Sequence, residues 1–183
     1  MPKSNRGNRY EMTQAKFLNS DELSALQQLL SDPSSPHRLI FRLLLETGAR
    51  VSELLLLEPH EVDHKAKAIA LVGLKDSRDR VIPLSEPTYR QLLTALPENG
   101  YVFSIRKRRV QQLWEKYYRP KIGTRKSLHC LRHTFGIELY RRCKDIQAVQ
   151  QALGHVSLDN TMVYAKFIHT ADSLRAAMFG ASA

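Results

Sequence analysis

The sequence has 183 residues, of which 43% are hydrophobic and 25% charged, a balance typical of one globular domain and unlike that of disordered or collagen-like chains. Its 28 Lys and Arg residues exceed its 18 Asp and Glu residues, and a net charge of +10 indicates a polyanionic partner, either nucleic acid or an anionic membrane surface. No apolar run approaches the ~20 residues of a membrane span and no signal-like segment opens the chain, so we expect a cytoplasmic protein with reduced cysteines.

The N-terminal residues are polar and basic. We therefore predict a flexible tail over residues 1–17 and a folded domain over residues 18–183. The first helix is indicated by Asn19 followed by Glu22, which is the spacing of a capping box. A second helix over residues 37–47 is apolar on most sides, which predicts a central position in the core.

The spacing of apolar residues changes from a helical to a strand-like period in the region after the second helix. Arg50 and Glu53 open a short helix that ends before Pro59. In residues 68–72, Ala68, Ala70 and Val72 alternate with the larger Ile69 and Leu71, which predicts a strand. A turn and a return strand over residues 80–84 complete one β-hairpin, with Lys75 at its tip. Further helices are predicted over residues 85–96, 109–118 (ended by Pro120), 127–142 (capped by Ser127), 145–153 (capped by Asp145), 157–164 (capped by Ser157) and 171–179. The expected fold class is α+β, a mostly helical single domain with a small antiparallel hairpin or sheet.

The positive charge is concentrated between residues 105 and 126, where nine basic residues accompany only one acidic residue, Glu115. Trp114, Tyr117 and Tyr118 are interleaved with them. A membrane-surface helix needs a wide apolar face, which this segment lacks, so nucleic acid is the favoured partner and a solvated basic face the alternative. The predicted DNA-binding residues are Arg106, Lys107, Arg108, Arg109, Lys116, Arg119, Lys121, Arg125 and Lys126.

A second group of polar residues lies where the apolar pattern does not require them. Each has an ordinary explanation when it is taken alone: a surface salt bridge for Arg50 with Glu53, a helix cap for His155, a solvated turn for Lys75, and half-buried packing for Tyr164. His129 and Arg132 share one helix face at the i, i+3 spacing.

Taken together, these residues form a chemical set. Two arginines and two histidines can surround a phosphate, a lysine can protonate a leaving oxygen, and a tyrosine can be a covalent nucleophile. The sequence has no carboxylate cluster, metal-type Cys/His spacing or glycine-rich phosphate loop. It therefore predicts phosphoryl transfer through a phosphotyrosine, with no metal and no cofactor.

The strings TGARVSELLLL, LKDSRDRVIPL, LHCLRHTFG and ALGHVSLDNTMVYAKF, in this order, resemble the catalytic domain of the tyrosine recombinases, or phage-integrase family. The resemblance covers residues 18 to 170. It implies that the catalytic residues are Arg50, Lys75, His129, Arg132, His155 and Tyr164, with Glu53 orienting the cations. Family members commonly carry an N-terminal DNA-clamping domain, whereas here only residues 1–17 precede the part that resembles the catalytic domain. The chain is therefore similar to short members such as fimbrial phase-variation invertases, or to an excised catalytic domain.

The resemblance also implies how the reaction would run. Tyr164 would form a 3′-phosphotyrosine, Lys75 would protonate the 5′-oxygen, and Arg78 and Arg80 would help to hold double-stranded DNA. Four subunits are expected on two paired sites, with residues 171–179 docking on a neighbouring subunit or folding back on their own domain. The alternatives are a type IB topoisomerase, a DNA-binding regulator that no longer recombines, and a structural basic domain.

Overall fold

The computed structural model describes residues 12–74 and 77–168. Within these ranges the fold is mostly helical with one small antiparallel sheet, which confirms the predicted α+β class. The helices are α1 (Ser20–Ser31), α2 (Arg38–Thr47), α3 (Val51–Leu54), α4 (Glu86–Leu93), α5 (Lys107–Leu113), α6 (Arg119–Lys121), α7 (Cys130–Cys143), α8 (Ile146–Leu153) and α9 (Asp159–Ile168). Single 3₁₀ turns are formed by Gln14–Lys16 and Pro59–Glu61.

The predicted hairpin belongs to a three-stranded sheet in the order β1 (Val62–Asp63), β2 (Ala68–Leu71) and β3 (Arg80–Pro83). Strands β2 and β3 pair antiparallel with Ile69 opposite Ile82, and both of these side chains are buried. The short strand β1 was not predicted, because two residues carry no readable alternation. Lys75 and Asp76 lie in the β2–β3 connection, outside the described residues.

Helix boundaries agree with the local signals in the sequence. The Asn19 side chain accepts a hydrogen bond from the Glu22 backbone at 2.8 Å, and the Glu22 carboxylate accepts one from the Asn19 backbone at 2.8 Å. Asp145 caps α8 by accepting hydrogen bonds from two backbone amides, at 2.8 Å and 3.2 Å. Gly48 and Gly154 end α2 and α8 with φ angles of 62° and 70° in the left-handed region, where a side chain would be strained.

The larger of two hydrophobic clusters surrounds α2. Phe41 on α2 is fully buried and its ring centroid lies 4.1 Å from that of Tyr118 and 6.2 Å from that of Trp114. Both of these aromatic side chains belong to the basic segment, so they anchor that segment to the core rather than face solvent. The interleaved aromatic residues of the sequence are therefore packing residues for the most part.

The smaller cluster joins α7, α8 and α9 to the N-terminal residues. Met12 and Phe17 are buried in it, and the Phe17 ring meets that of Phe167 edge-on with centroids 5.0 Å apart. Residues 12–17 therefore differ from the predicted flexible tail, because two apolar side chains were available to close the end of this cluster. Residues 171–179, the predicted docking stretch, lie outside the described residues.

Two predicted helix boundaries are wrong. The basic helix does not stop before Pro120: a π-helical stretch over Trp114–Tyr118 joins α5 to α6, with the Arg119 amide donating to the Trp114 carbonyl. Proline is tolerated there because it lies in the first turn of α6. Helix α7 begins at Cys130 rather than after Ser127, with His129 as the residue before its first turn. No helix in the described part of the chain is long and apolar enough to cross a membrane.

Candidate active site

A cavity of about 740 Å³ opens where the helices carrying the two arginines meet α9. It brings together five of the six predicted catalytic residues, from three regions that are far apart in the sequence, around residues 50, 129–132 and 155–164. The residues that line it are Arg50, His129, Arg132, His133, His155, Asp159, Asn160, Met162, Val163, Tyr164 and Lys166. A phosphate in this cavity would meet guanidinium, imidazole and phenol groups together.

Arg50 lies directly before α3 and is held there by Glu53. The Glu53 carboxylate accepts hydrogen bonds from the Arg50 backbone and from Arg50 Nη1, both at 2.9 Å. It also accepts one from Arg80 Nη2 at 2.7 Å. Burial alone would raise the pKa of the Glu53 carboxyl, but the hydrogen bonds from Arg80 and Arg50 outweigh it and lower the pKa to about 2. Glu53 is therefore ionised and pairs with both Arg50 and Arg80, which are the contacts expected of the cation-orienting residue that the family resemblance implies.

Arg80 was expected to help hold DNA, and this expectation is wrong. Its side chain is 2% exposed, and besides the ion pair with Glu53 it donates from Nε to the Ala152 carbonyl at 2.9 Å. The residue thus ties β3 to α3 and α8 from within the protein. Arg80 could reach a DNA backbone only by breaking this buried ion pair, which is costly.

Arg132, on the first turn of α7, is 3% exposed. Its Nη1 donates to the Gly48 carbonyl at 2.7 Å and its Nη2 donates to the Leu153 carbonyl at 2.8 Å. Burial first and the neighbouring Arg50 second lower the pKa of the guanidinium to about 10, so it keeps its charge at neutral pH. Because a guanidinium has five N–H donors, three remain for a phosphate.

His155 follows Gly154 at the end of α8 and is also buried. Its Nδ1 lies 2.9 Å from the hydroxyl of Thr161, a fully buried residue of α9. Burial, then Arg132 and Arg50, lower the pKa of His155 to about 4, so the imidazole is neutral at pH 7. When the Thr161 hydroxyl donates to Nδ1, the imidazole proton resides on Nε2, where it can be donated to a phosphate oxygen.

His129, directly before α7, is more exposed than Arg132 and His133, which follow it in the cavity wall. Its pKa is lowered by partial burial first and by Arg132 and Arg50 second. Its ring meets that of His133 edge-on, with centroids 4.6 Å apart. His129 therefore lies at the mouth of the cavity, with a second imidazole behind it.

The phenol of Tyr164 is 1% exposed and lies flat against α7. A Cβ atom at Gly136 would come within 2.8 Å of the Tyr164 Cζ atom, so only glycine leaves room for the ring at this position. The hydroxyl oxygen lies 3.1 Å from Nδ1 of His133. The predicted nucleophile therefore lies in the same cavity as the arginines of its own chain.

The position of Lys75 remains a prediction, since it lies outside the described residues. The segment that follows it is attached to the site: Ser77 pairs with His155 in an isolated β-bridge, and the Arg78 amide donates to the Gly154 carbonyl at 2.8 Å. These contacts bring the β2–β3 connection to the loop that carries His155.

The basic segment presents most of its charge to solvent. Seven of its nine basic side chains are exposed, Arg119 is half-buried, and Lys126 forms an ion pair with Glu22. Lys107 lines a small cavity of about 230 Å³ together with Arg50 and His129. The exposed residues are Arg106, Lys107, Arg108, Arg109, Lys116, Lys121 and Arg125. The basic surface therefore begins beside the catalytic cavity, while Lys126 serves the fold.

Sequence reasoning missed two residues of the site, His133 and Thr161, and gave Arg80 a different role. His133 follows His129 by one helical turn, and this i, i+4 spacing was a usable signal. The role of Arg80 had no local signal, because its partner Glu53 lies 27 residues away in the sequence, whereas Thr161 lies only six residues after its partner His155. Among residues 12–74 and 77–168, no three His, Cys, Asp or Glu side chains are grouped as metal ligands.

Residues 16–169 match the model of the phage integrase family. The chain belongs to this family. It is 30% identical over 166 residues to the tyrosine recombinase XerA of Pyrococcus furiosus, covering 84% of this chain and 58% of that protein. It is also 30% identical over 171 residues to the tyrosine recombinase XerC of Listeria monocytogenes, covering 81% of this chain and 57% of that protein. The chain thus spans a little more than half the length of these relatives.

Solved structures agree with this assignment. The crystal structure of a XerA recombinase matches with a TM-score of 0.67 and 27% identity, over 92% of this chain and 64% of that one. The fold is also similar to that of a XerH site-specific recombinase bound to its difH substrate in a pre-cleavage complex, with a TM-score of 0.73, 22% identity, and coverage of 91% and 53%. The catalytic domain of bacteriophage HP1 integrase matches over 94% of its own length, with a TM-score of 0.65.

Proposed function

We propose that this chain is the catalytic part of a site-specific DNA recombinase, an enzyme that cuts and rejoins DNA strands through a 3′-phosphotyrosine intermediate. The observation that carries the proposal is the common cavity of Tyr164, Arg50 and Arg132. A tyrosine beside two oriented guanidinium groups is suited to attack on a phosphodiester. The names of the XerA and XerC relatives support the same function.

In the proposed reaction, Arg50 and Arg132 bind the two non-bridging oxygens of the scissile phosphate. Their positions are set by Glu53 and by backbone carbonyls before DNA arrives, so little reorganisation is needed in the transition state. His155 donates a further hydrogen bond to the phosphate. Because Tyr164 lines the same cavity as Arg132, each subunit attacks the phosphate that it binds itself.

The departing group is the 5′-oxygen of the DNA strand, and an alkoxide leaves slowly unless it is protonated. We assign its protonation to Lys75, since guanidinium groups are too basic to release a proton. The β-bridge of Ser77 with His155 supports this assignment, because Ser77 follows Lys75 by two residues in the sequence and pairs with a residue that lines the cavity. The phosphodiester energy is kept in the tyrosine link, so rejoining needs no ATP.

The exposed basic residues of the segment from Arg106 to Arg125 are the proposed DNA track, and they adjoin the catalytic cavity through Lys107. Their contacts would be mostly to phosphates, which position the duplex without reading its sequence. In the cell we place the protein in the cytoplasm, acting as four subunits on two paired duplex sites. Residues 171–179 remain the candidate for contact between neighbouring subunits.

Covalent capture tests the proposed function. The chain is incubated with a library of nicked suicide duplexes of random sequence, and DNA that stays bound in denaturant is sequenced. We expect adducts joined through Tyr164 at a 3′-phosphate, enriched for one sequence, and we expect them to form in EDTA because arginines supply the charge that Mg²⁺ supplies elsewhere. Failure to capture any duplex would instead indicate a DNA-binding regulator.

The captured site then distinguishes the remaining alternatives. A plasmid with two copies of the site should be converted to recombinant products. Relaxation of a plasmid with one copy, without recombination of two, would indicate topoisomerase activity.

A further inference from the structure

The reacting oxygen of Tyr164 has a neighbour to which the family resemblance assigns no role. His133 Nδ1 lies 3.1 Å from the Tyr164 hydroxyl oxygen, at hydrogen-bond distance. His133 lies on α7, one residue after Arg132, and is buried in the wall of the catalytic cavity. It is therefore in direct contact with an atom that forms a bond in the proposed reaction.

The position of the Tyr164 ring in this contact is determined by the backbone of α7. Gly136 lies three residues after His133 on the same face of α7, and the Tyr164 ring rests on it. The ring position is thus determined by α7 at its plane and by His133 at its hydroxyl. Attack on a phosphate requires that this hydroxyl lose its proton, and at pH 7 an isolated phenol with a pKa near ~10 is ionised in about one molecule in 10³.

Among the residues that the structure describes, the charged and titratable groups that face His133 include His129, Arg132, Lys16, His155 and Tyr164, which come from the N-terminal turn, α7, the loop after α8, and α9. Burial first and the electrostatic effect of the neighbouring cationic and imidazole groups second lower the pKa of His133 to about 3, so its imidazole is neutral and has one unprotonated nitrogen. A phosphodiester bound by Arg132 in the same cavity brings in a negative charge, which offsets these neighbours and makes the imidazole a stronger base.

We propose that His133 is a catalytic residue that accepts the proton of the Tyr164 hydroxyl during strand cleavage. The inference rests on the proposed function. As the bond from Tyr164 oxygen to phosphorus forms, the bond from phosphorus to the 5′-oxygen breaks. The phenolic proton passes to Nδ1 of His133, and the 5′-oxygen receives a proton from the general acid, which we assign to Lys75. In rejoining, the 5′-hydroxyl gives its proton back to Lys75 and attacks the phosphorus, the bond from phosphorus to the Tyr164 oxygen breaks, and His133 returns its proton to the departing tyrosine.

The test compares His133→Asn with a matched control elsewhere in the protein. An asparagine oxygen takes the place of Nδ1 and keeps a hydrogen-bond partner for Tyr164, but it does not accept a proton at neutral pH. The control is His64→Asn, because His64 Nδ1 lies 3.0 Å from the hydroxyl of Tyr89, away from the cavity. Both variants are checked for unchanged unfolding temperature and DNA affinity.

The rate of adduct formation is measured on a captured suicide duplex and on the same duplex with a 5′-bridging sulfur. We expect His133→Asn to lower the rate of adduct formation by ~10²-fold or more with both substrates, which is within the usual contribution of acid–base catalysis. The slowed rate should then rise about tenfold per pH unit towards the phenol pKa. His64→Asn should react at the wild-type rate. In contrast, the sulfur substrate should rescue Lys75→Ala, because it removes only the need for a general acid.

Several outcomes would overturn the proposal. The first is a wild-type rate for His133→Asn, and the second is rescue of that variant by the 5′-bridging sulfur substrate. The third is a slower rate with an unchanged pH profile, which would leave His133 only a structural role. If His133→Asn does not fold, ¹⁵N-histidine NMR of the Tyr164→Phe variant replaces it, and an unchanged His133 Nδ1 resonance would refute the contact. Absence of any wild-type adduct would refute the proposed function itself, which is a separate result.

Discussion

The two halves of the candidate catalytic cavity differ in the charge that their buried side chains carry. The phosphate half, made of Arg50, Arg132, Glu53 and Arg80, keeps three guanidinium groups close together around a single buried carboxylate. The nucleophile half, made of His133, His155, Thr161 and Tyr164, contains hydroxyl groups and imidazoles whose pKa values lie well below neutrality. Charge is therefore fixed where the phosphate binds, and neutral groups are kept where a proton has to move.

The difference follows from the partners of each half. Glu53 and the carbonyls of Gly48 and Leu153 compensate the arginines, so these cations stay charged in a buried site without DNA. The imidazoles have hydroxyl partners instead of carboxylates, and burial removes their charge. Burial therefore leaves the arginines charged in the phosphate half and the imidazoles neutral in the nucleophile half.

The largest effect is expected from Tyr164→Phe, which changes only the nucleophile half. It removes one hydroxyl and keeps the ring that packs on Gly136, so fold and DNA affinity should be unchanged while adduct formation is abolished. Denaturing gels and a DNA-binding titration measure the two properties on one preparation. A persistent adduct would identify another nucleophile, with Tyr140 the next to replace.

The substitution Glu53→Gln tests the phosphate half of the cavity. Removing the carboxylate charge leaves Arg80 buried with no ionic partner, and we expect the free energy of unfolding to fall by ~3–5 kcal/mol. The control is Glu86→Gln, because Glu86 pairs with Lys67 and Arg90 at an exposed site, where ion pairs add little to stability. Urea denaturation measures both variants, and an equal loss of stability in the two would contradict the role of Glu53 as the buried counter-ion.

As the pH falls, acid should destabilise the nucleophile half first and the phosphate half only at lower pH. His133 and His155 have folded pKa values of about 3 and 4, below the ordinary 6.5, so the unfolded chain binds more protons and stability falls as the pH drops below 6.5. Each imidazole should cost about 1.4 kcal/mol per pH unit there. Glu53, lowered from 4.5 to about 2, contributes stability that is lost only below pH 4.5.

Urea denaturation at a series of pH values measures this dependence. His133→Asn should reduce the slope between pH 6.5 and 5 by about one proton, while Glu53→Gln should leave that slope unchanged and flatten the fall below 4.5. An unchanged slope in His133→Asn would mean that its imidazole is not held neutral.

The smallest effects are expected outside both halves, in the basic segment. Replacing Arg106, Arg108 or Arg109 singly by Gln should weaken DNA binding and lower the log–log salt slope by ~0.9 for each phosphate that is no longer neutralised. Adduct formation at saturating DNA should not change. The control is Lys144→Gln, since Lys144 is exposed at the far end of α7, about 18 Å along the helix from Arg132. An unchanged slope in all three variants would place DNA on a different face.

Local structure and most of the candidate catalytic residues could be predicted from the sequence alone. The capping residues Asn19 and Asp145 predicted the starts of their helices, because the hydrogen bonds of a cap are made within three residues. The α+β class followed from the change of period at residue 68. Arg50, His129, Arg132, His155 and Tyr164 were named from motifs, and the fold places all five in one cavity.

The tertiary structure was needed to show which polar side chains are paired and which are available. Arg80 and Lys126 have the same sequence signature as DNA-binding residues, yet they hold Glu53 and Glu22. His133 was passed over because its significance depends on Tyr164, 31 residues away. The physical reason is that charge and proton affinity depend on burial and on partners brought together by folding, and no local pattern in the chain encodes these distances.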